Sequence, residues 1–69
     1  MKQEIGKVIE FNGYGGIIEF NNQEYLLLDN NIIDNKENIK VNDYVEFIPE
    51  SIEDNLIARF VKKRYPKTN

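Results

Sequence analysis

Apolar side chains are concentrated in five short stretches of this chain, and residues that favour turns lie between most of them. The stretches cover residues 3–11, 14–20, 24–28, 43–48 and 56–62. They are rich in Ile, Val, Leu, Tyr and Phe, which fit a pleated and partly buried strand. The pattern therefore predicts five β-strands, of which the first three form an antiparallel meander.

Two short turns are predicted between the first three strands. Asn12 and Gly13 indicate a two-residue hairpin turn of type I′, in which both central residues have positive φ. Asn21 and Asn22 indicate a second turn, because asparagine tolerates the left-handed backbone region. Pro49 is predicted to end the fourth strand. These signals favour direct hairpins rather than long crossovers.

The longest connection, residues 29–42, is polar but contains three isoleucines. We expect a single helical turn at residues 30–33 that plugs one end of the structure. The acidic and amide residues at the start of this segment resemble those of a calcium-binding loop. However, Asp34 stands at the sixth position, where such a loop needs glycine, so no calcium site is predicted.

Five short strands with a longer connection after the third are typical of an all-β, five-stranded antiparallel barrel of the OB type. Closing the sheet in this way removes its exposed edges. An open SH3-like barrel is the alternative. The 69 residues suffice for one small domain, which buries about 60% of its extended-chain surface on folding. We expect the barrel to cover residues 1–64 and a flexible basic and polar tail to cover residues 65–69.

The charge of the chain is unevenly distributed along the sequence. Residues 1–54 contain four lysines and all twelve acidic residues, whereas residues 55–69 contain five basic residues and no acid. The formal net charge is −3. An acidic body with a basic tail indicates either a solvated tail or a contact between the tail and an anionic partner.

Histidine and cysteine are absent, so the usual general bases and thiol nucleophiles are missing. We therefore predict no enzymatic activity, no cofactor, no metal ion and no small-molecule substrate. Charged residues recur every few positions near the N-terminus, which fits neither a signal peptide nor a membrane span. The expectation is a soluble, cytoplasmic protein.

Both faces of the predicted meander are apolar. On the third strand, Tyr25 and Leu27 point to one side, whereas Leu26 and Leu28 point to the other. An antiparallel strand with one exposed face normally carries polar residues on that face. Either another layer covers both faces or one face is an interaction surface.

The sequence resembles the cold-shock domain family from Gly6 to about Lys63. Residues 6–12 are similar to the first strand of the family, Gly-x-Val-Lys-Trp-Phe-Asn. Residues 12–17 resemble its first nucleic-acid motif, Lys-Gly-Phe-Gly-Phe-Ile, and residues 25–29 its second, Val-Phe-Val-His-Phe. The resemblance implies an OB-type barrel that binds single-stranded RNA or DNA, as RNA chaperones do.

The motifs also depart from the family pattern, and the first hairpin is shorter. Glu10 stands in the place of the tryptophan, Gly16 in that of a phenylalanine, and Leu28 in that of the histidine. Phe11 and Tyr14 are the aromatic positions that remain. Each stacked base contributes roughly 1–3 kcal/mol, so two platforms predict weak binding at best.

Two functional hypotheses follow. In the first, the protein binds single-stranded nucleic acid weakly: aromatic residues stack on bases and basic residues contact phosphates. The residues assigned to this hypothesis are Lys7, Phe11, Tyr14, Arg59, Lys62 and Lys63. In the second, the barrel has lost nucleic-acid binding and contacts a protein partner or a copy of itself through an aliphatic surface. The residues assigned to that surface are Ile9, Ile18, Leu26 and Leu28.

Overall fold

The computed structural model describes residues 2–65, which form five β-strands in a closed barrel. The strands are β1 (Glu4–Phe11), β2 (Gly15–Phe20), β3 (Gln23–Leu28), β4 (Tyr44–Ile52) and β5 (Asn55–Lys63). Their order around the barrel is β1-β2-β3-β5-β4, and β4 closes it by pairing with β1. The predicted all-β, five-stranded OB-type barrel is confirmed, but its sheet is mixed because β3 and β5 run parallel.

The turn between β2 and β3 has the predicted form. Asn21 and Asn22 have φ values of 55° and 63°, and the two-residue turn places Phe20 opposite Gln23. Their left-handed backbone matches the twist of the flanking strands. This turn sets which residues of β2 and β3 lie opposite one another.

The turn between β1 and β2 differs from the prediction. Gly13 has a positive φ of 94°, but Asn12 does not have positive φ, so the type I′ assignment was wrong. The side chain of Asn12 holds the turn instead. Its Oδ1 accepts hydrogen bonds from the backbone N–H groups of Tyr14 and Gly15, both at 2.9 Å. Short polar side chains often satisfy turn backbone in this way.

The core lies inside the barrel and consists of apolar side chains from all five strands and from the long connection. Its buried members are Val8, Ile18, Tyr25, Leu27, Ile39, Val45, Phe47, Ala58 and Val61. Phe47 is its largest fully buried side chain. The ring of Phe47 contacts those of Phe20 and Tyr25, with ring centres 5.7 Å and 5.4 Å apart.

The long connection covers one end of the barrel with two short helical turns. A 3₁₀ turn at Asp29–Asn31 lies close to the predicted position, and a second at Lys36–Asn38 was not predicted. Ile32 packs against the core after the first turn, and Ile39 is buried after the second. Neither turn approaches the length of a membrane span, and within residues 2–65 no helix is long and apolar enough to cross a membrane.

Pro49 does not end β4, which continues to Ile52 and pairs with β5 along its length. Pro49 lies beyond Phe47, the last residue of β4 that pairs with β1. A proline lacks a backbone donor, and a strand edge without a neighbour tolerates that loss. The hairpin then turns at Glu53 and Asp54, whose φ values are 50° and 67°. The expectation of a strand end at this proline was therefore wrong.

Candidate binding surfaces

The basic residues near the C-terminus do not form a separate positive region in the folded protein. Because β5 pairs with β4, the cations on β5 and just after it lie beside acidic residues on β4 and just before it. Three ion pairs result: Arg59–Glu50 at 3.2 Å, Lys63–Asp43 at 3.4 Å and Arg64–Glu46 at 3.4 Å. None of these six side chains is fully buried, and ion pairs that water reaches contribute about 0–1 kcal/mol. Their cations therefore remain able to exchange a carboxylate for a phosphate.

Two of the basic residues assigned to nucleic-acid binding have no such partner. Among residues 2–65, neither Lys7 nor Lys62 has a carboxylate within 4.0 Å of its Nζ. Lys7 lies opposite Tyr44 in the sheet, and Lys62 lies opposite Glu46. Residues directly opposite one another point to the same face. Both lysines are therefore on the outer surface, near the junction of β1, β4 and β5.

A groove of about 450 Å³ lies at this junction, and we call it the tyrosine groove. Its lining consists of Ile5, Asn42, Asp43, Tyr44, Lys63, Arg64 and Tyr65. The two tyrosines are 56% and 59% exposed, respectively. The Nζ of Lys63 lies 5.1 Å from the centre of the Tyr65 ring, within range of a cation–π contact. Exposed rings and cations thus line the same concave surface.

Tyr65, the first residue of the predicted tail, lines the tyrosine groove. The remaining predicted tail, residues 66–69, lies outside the described residues. Tyr44 was interpreted as an ordinary strand residue. Its exposure follows from the predicted alternation of residues 43–48, because Val45 and Phe47 point inward. The approach of Tyr65 depends on the tertiary fold.

The two aromatic residues assigned to base stacking do not form a joint platform. Phe11 is partly buried and packs against the core, and it lies opposite Gly16 on the inner side of the sheet. Tyr14 is 73% exposed, and the Nζ of Lys36 lies 4.9 Å from the centre of its ring. Lys36 also pairs with Asp29 at 3.6 Å. Of the two rings, that of Tyr14 is therefore the one open to a ligand.

The aliphatic surface assigned to protein contact is only partly as predicted. Leu26 is 43% exposed and Leu28 is half-buried, so the β3 faces were assigned correctly. Ile18 is fully buried, so its assignment to that surface was wrong. It lies opposite Tyr25 and belongs to the core. Ile9 is half-buried and is the extra residue of a β-bulge between Val8 and Glu10.

Ile17 takes the place that was assigned to Ile18. It lies opposite Leu26, which in turn lies opposite Ile57 of β5. These three residues form what we call the aliphatic row, which crosses the outer surface of β2, β3 and β5. Glu10 lies opposite Ile17 at one end of the row, and Glu50 lies opposite Ile57 at the other.

The pairing of β2 with β3 also changes how the first nucleic-acid motif compares with that of the cold-shock family. Gly16, which was matched to an exposed phenylalanine of the cold-shock motif, is buried and lies opposite Leu27 on the inner side. The outward position next to it is occupied by Ile17. An aliphatic residue buries well but offers no flat ring to a base. The outer surface of β2 and β3 therefore differs from the base-stacking surface that the motif implies.

No model of a known protein family matches the chain, and no curated protein sequence matches it either. A closed five-stranded barrel does not by itself identify the cold-shock family, since unrelated functions share such folds. The resemblance drawn from the motifs therefore stays a prediction. Within residues 2–65, no cluster of three or more acidic side chains is placed to hold a metal ion.

Proposed function

We propose that this protein is a binding module that holds single-stranded nucleic acid weakly in the tyrosine groove. The observation that supports this best is the coincidence of two exposed tyrosine rings with basic side chains in one concave surface. Modules that bind single strands combine aromatic platforms with a groove that attracts the phosphate backbone. The proposed contacts lie on β1 and β4 and at the end of β5, away from the aliphatic row.

The tyrosines supply most of the expected affinity. Each base stacked on a ring contributes roughly 1–3 kcal/mol, so Tyr44 and Tyr65 together contribute about 2–6 kcal/mol. A free energy of about 4 kcal/mol corresponds to a millimolar complex. The expected dissociation constant therefore lies between some tens of millimolar and some tens of micromolar. A tighter complex requires contacts in addition to the two stacked bases.

The basic residues near the groove position the phosphates. Lys7 and Lys62 are available as they stand, whereas Lys63 and Arg64 have to leave Asp43 and Glu46. The affinity of a protein for single-stranded nucleic acid falls as the salt concentration rises. The log–log slope is about −0.7 for each phosphate that the protein neutralises. Two available lysines therefore predict a slope of about −1.4. The net charge of −3 opposes anions over longer distances and keeps the binding weak.

Fluorescence anisotropy with labelled oligouridine and oligothymidine of about twelve nucleotides tests this proposal at about 50 mM salt. We expect saturable binding, and we expect Tyr44→Ala and Tyr65→Ala each to weaken it at least about fivefold because each removes one stacked base. Both rings are more than half exposed, so the fold tolerates their loss. Circular dichroism of each variant checks this.

Tyr14→Ala is the matched control, because it removes an exposed tyrosine outside the groove. We expect it to leave the affinity unchanged. If Tyr14→Ala abolishes binding while the groove variants bind normally, the strand lies on the face that the cold-shock motifs imply, and the groove assignment is wrong. Absence of binding at about millimolar protein, where two stacks of average strength should register, would reject the proposal altogether.

A second prediction uses the ion pairs to raise affinity. Glu46→Gln removes the carboxylate that pairs with Arg64 and lies opposite Lys62. We expect oligonucleotide binding to tighten about twofold to fivefold, which corresponds to the usual strength of an exposed ion pair. The salt slope should steepen by about 0.7, since one more cation becomes available for a phosphate. The same anisotropy titration at several salt concentrations measures both quantities.

Glu50→Gln provides the control for this gain. It releases Arg59 in the same manner and changes the net charge equally, but Arg59 does not line the tyrosine groove. We expect a smaller effect from this variant than from Glu46→Gln. Equal effects of the two variants would mean that net charge alone governs the attraction and that the groove has no special role.

A further inference from the structure

The aliphatic row is an outward-facing apolar feature that the proposed function does not use. Ile17, Leu26 and Ile57 lie on three neighbouring strands at directly opposite positions. Neighbouring strands are about 4.8 Å apart, so the row extends for roughly 10 Å. Leu26 is 43% exposed and its two neighbours are half-buried. An ordinary solvent-facing position in such a sheet carries a polar residue.

Three carboxylates lie beside the aliphatic row, and the Arg59–Glu50 pair borders its Ile57 end. Glu10 lies opposite Ile17, and Glu24 and Asp54 line a shallow groove of about 410 Å³ that also includes Ile17 and Leu26. Among residues 2–65, none of these three carboxylates has a cationic side chain within 4.0 Å. This differs from the β4–β5 surface, where Glu46 and Glu50 are each paired with an arginine.

The join between β3 and β5 explains why a groove exists at this position. The two strands share a single pair of opposite residues, Leu26 and Ile57. The part of β3 that precedes Leu26 therefore has a neighbour strand on one side alone, that of β2. A sheet that separates in this way leaves space between its strands, and the turn that carries Asp54 borders the space.

We propose that the aliphatic row is a docking site for a segment of another protein that carries aliphatic side chains flanked by lysine or arginine. The row offers apolar surface to the aliphatic side chains, and the three carboxylates offer complementary charge to the basic ones. Nucleic acid does not fit this surface, because the unpaired carboxylates repel its phosphates and the aliphatic row offers no aromatic ring on which a base could stack. The inference is independent of the tyrosine groove.

A second copy of this chain fits the surface poorly. A symmetric dimer through the row would bring the same patch of each protomer together. Glu10, Glu24 and Asp54 would then face identical carboxylates, and such like-charge contacts are unfavourable. A stable dimer also buries about 1,200–2,000 Å² in total, whereas the row spans only three side chains. A short segment with complementary charge matches both its size and its charge.

The test uses a fluorescein-labelled peptide of alternating leucine and lysine as the probe, with a leucine and glutamate peptide as its counterpart. We expect the basic peptide to bind the full chain and the acidic peptide not to bind. Leu26→Ser should weaken binding at least about fivefold, because it removes the most exposed aliphatic contact. Ile5→Ser is the matched control, since Ile5 is also 43% exposed but lines the tyrosine groove.

A second variant tests the charges. We expect a triple variant to bind the basic peptide about threefold to tenfold more weakly at low salt, in line with the strength of exposed charge pairs. Its substitutions are Glu10→Gln, Glu24→Gln and Asp54→Asn. The difference should largely disappear at about 0.5 M salt because of screening. Asparagine is suited to position 54, where φ is 67°. Thermal unfolding of each variant confirms that the barrel is intact.

Three results would overturn the docking proposal. Equal binding of the acidic and basic peptides would show that the carboxylates do not select the partner. Unchanged peptide binding by Leu26→Ser would show that the aliphatic row is not part of the contact. A dimer in sedimentation analysis that Leu26→Ser dissociates would make a second copy the occupant. None of these results bears on the tyrosine groove, because oligonucleotide binding depends on Tyr44 and Tyr65.

Discussion

Gly16→Ala is expected to lower the free energy of unfolding by about 3 kcal/mol or more, a large part of the total stability of this protein. A β-carbon at this position would overlap the backbone carbonyl oxygen of Glu10 and crowd the Cα of Phe11. These are backbone atoms of the paired strand, so no side-chain rotation can relieve the overlap, and β1 has to move away from β2. Overpacking of this severity costs about 3 kcal/mol or more. A chain of this length has a total stability of roughly 3–10 kcal/mol.

Gly15→Ala is the matched control for this prediction. It is the preceding residue on the same strand, and its β-carbon would lie 3.6 Å from the carbonyl oxygen of Leu27, an ordinary contact. We expect its free energy of unfolding to change by less than about 1 kcal/mol. Urea unfolding followed by circular dichroism compares the two variants. Equal stabilities of the two alanine variants would contradict the close approach of β1 and β2 at Gly16.

Phe47→Ala is expected to lower the free energy of unfolding by about 3–5 kcal/mol, the range for a fully buried phenylalanine. Phe47 has no exposed surface, and its ring contacts Phe20 and Tyr25 inside the barrel. Removing it leaves a cavity that the surrounding strands cannot fully close, because their pairing in the barrel restrains them. Such a loss corresponds to a fall in melting temperature of roughly 12–40 °C for a domain of this size.

Phe60→Gly is the control, since it removes a phenylalanine from the same pair of strands. Phe60 is 46% exposed and has a φ of 53°, a left-handed conformation that is unfavourable for an aromatic residue and easy for glycine. It lies at the bulge where β5 has one residue more than β4. Relief of the unfavourable backbone conformation offsets the lost contacts of the ring. The free energy of unfolding should therefore change by no more than about 1 kcal/mol. A larger loss than that from Phe47→Ala would contradict the assigned core.

Most of the fold could be predicted from the sequence because its signals are local. Short stretches of β-forming residues identified all five strands, and Asn21 with Asn22 identified the turn between β2 and β3. That turn also determines the register between β2 and β3. A two-residue turn places Phe20 opposite Gln23, and counting along both strands then places Ile17 opposite Leu26 and Ile18 opposite Tyr25. Carrying this count through would have assigned Ile18 to the core.

Other features of the candidate surfaces have no local signal. Period-two alternation does not predict the β-bulge at Ile9, which changes the phase of β1 relative to β2. The partners of the C-terminal cations depend on the pairing of β4 with β5, since Arg64 and Glu46 are 18 residues apart. A charge count along the chain therefore indicated an acidic body and a basic tail, although three of the basic residues lie next to carboxylates.

The sequence by itself determined the strands, the all-β class and the barrel that five such strands form, because these follow from the spacing of apolar side chains and from turn residues that act over a few positions. Only the tertiary structure decided which side chains share a surface. Tyr44 with Tyr65, and Leu26 with Ile57, are brought together by pairing between strands that are distant in the sequence. Burial and ion pairing depend on distance in space, and the closed barrel sets those distances.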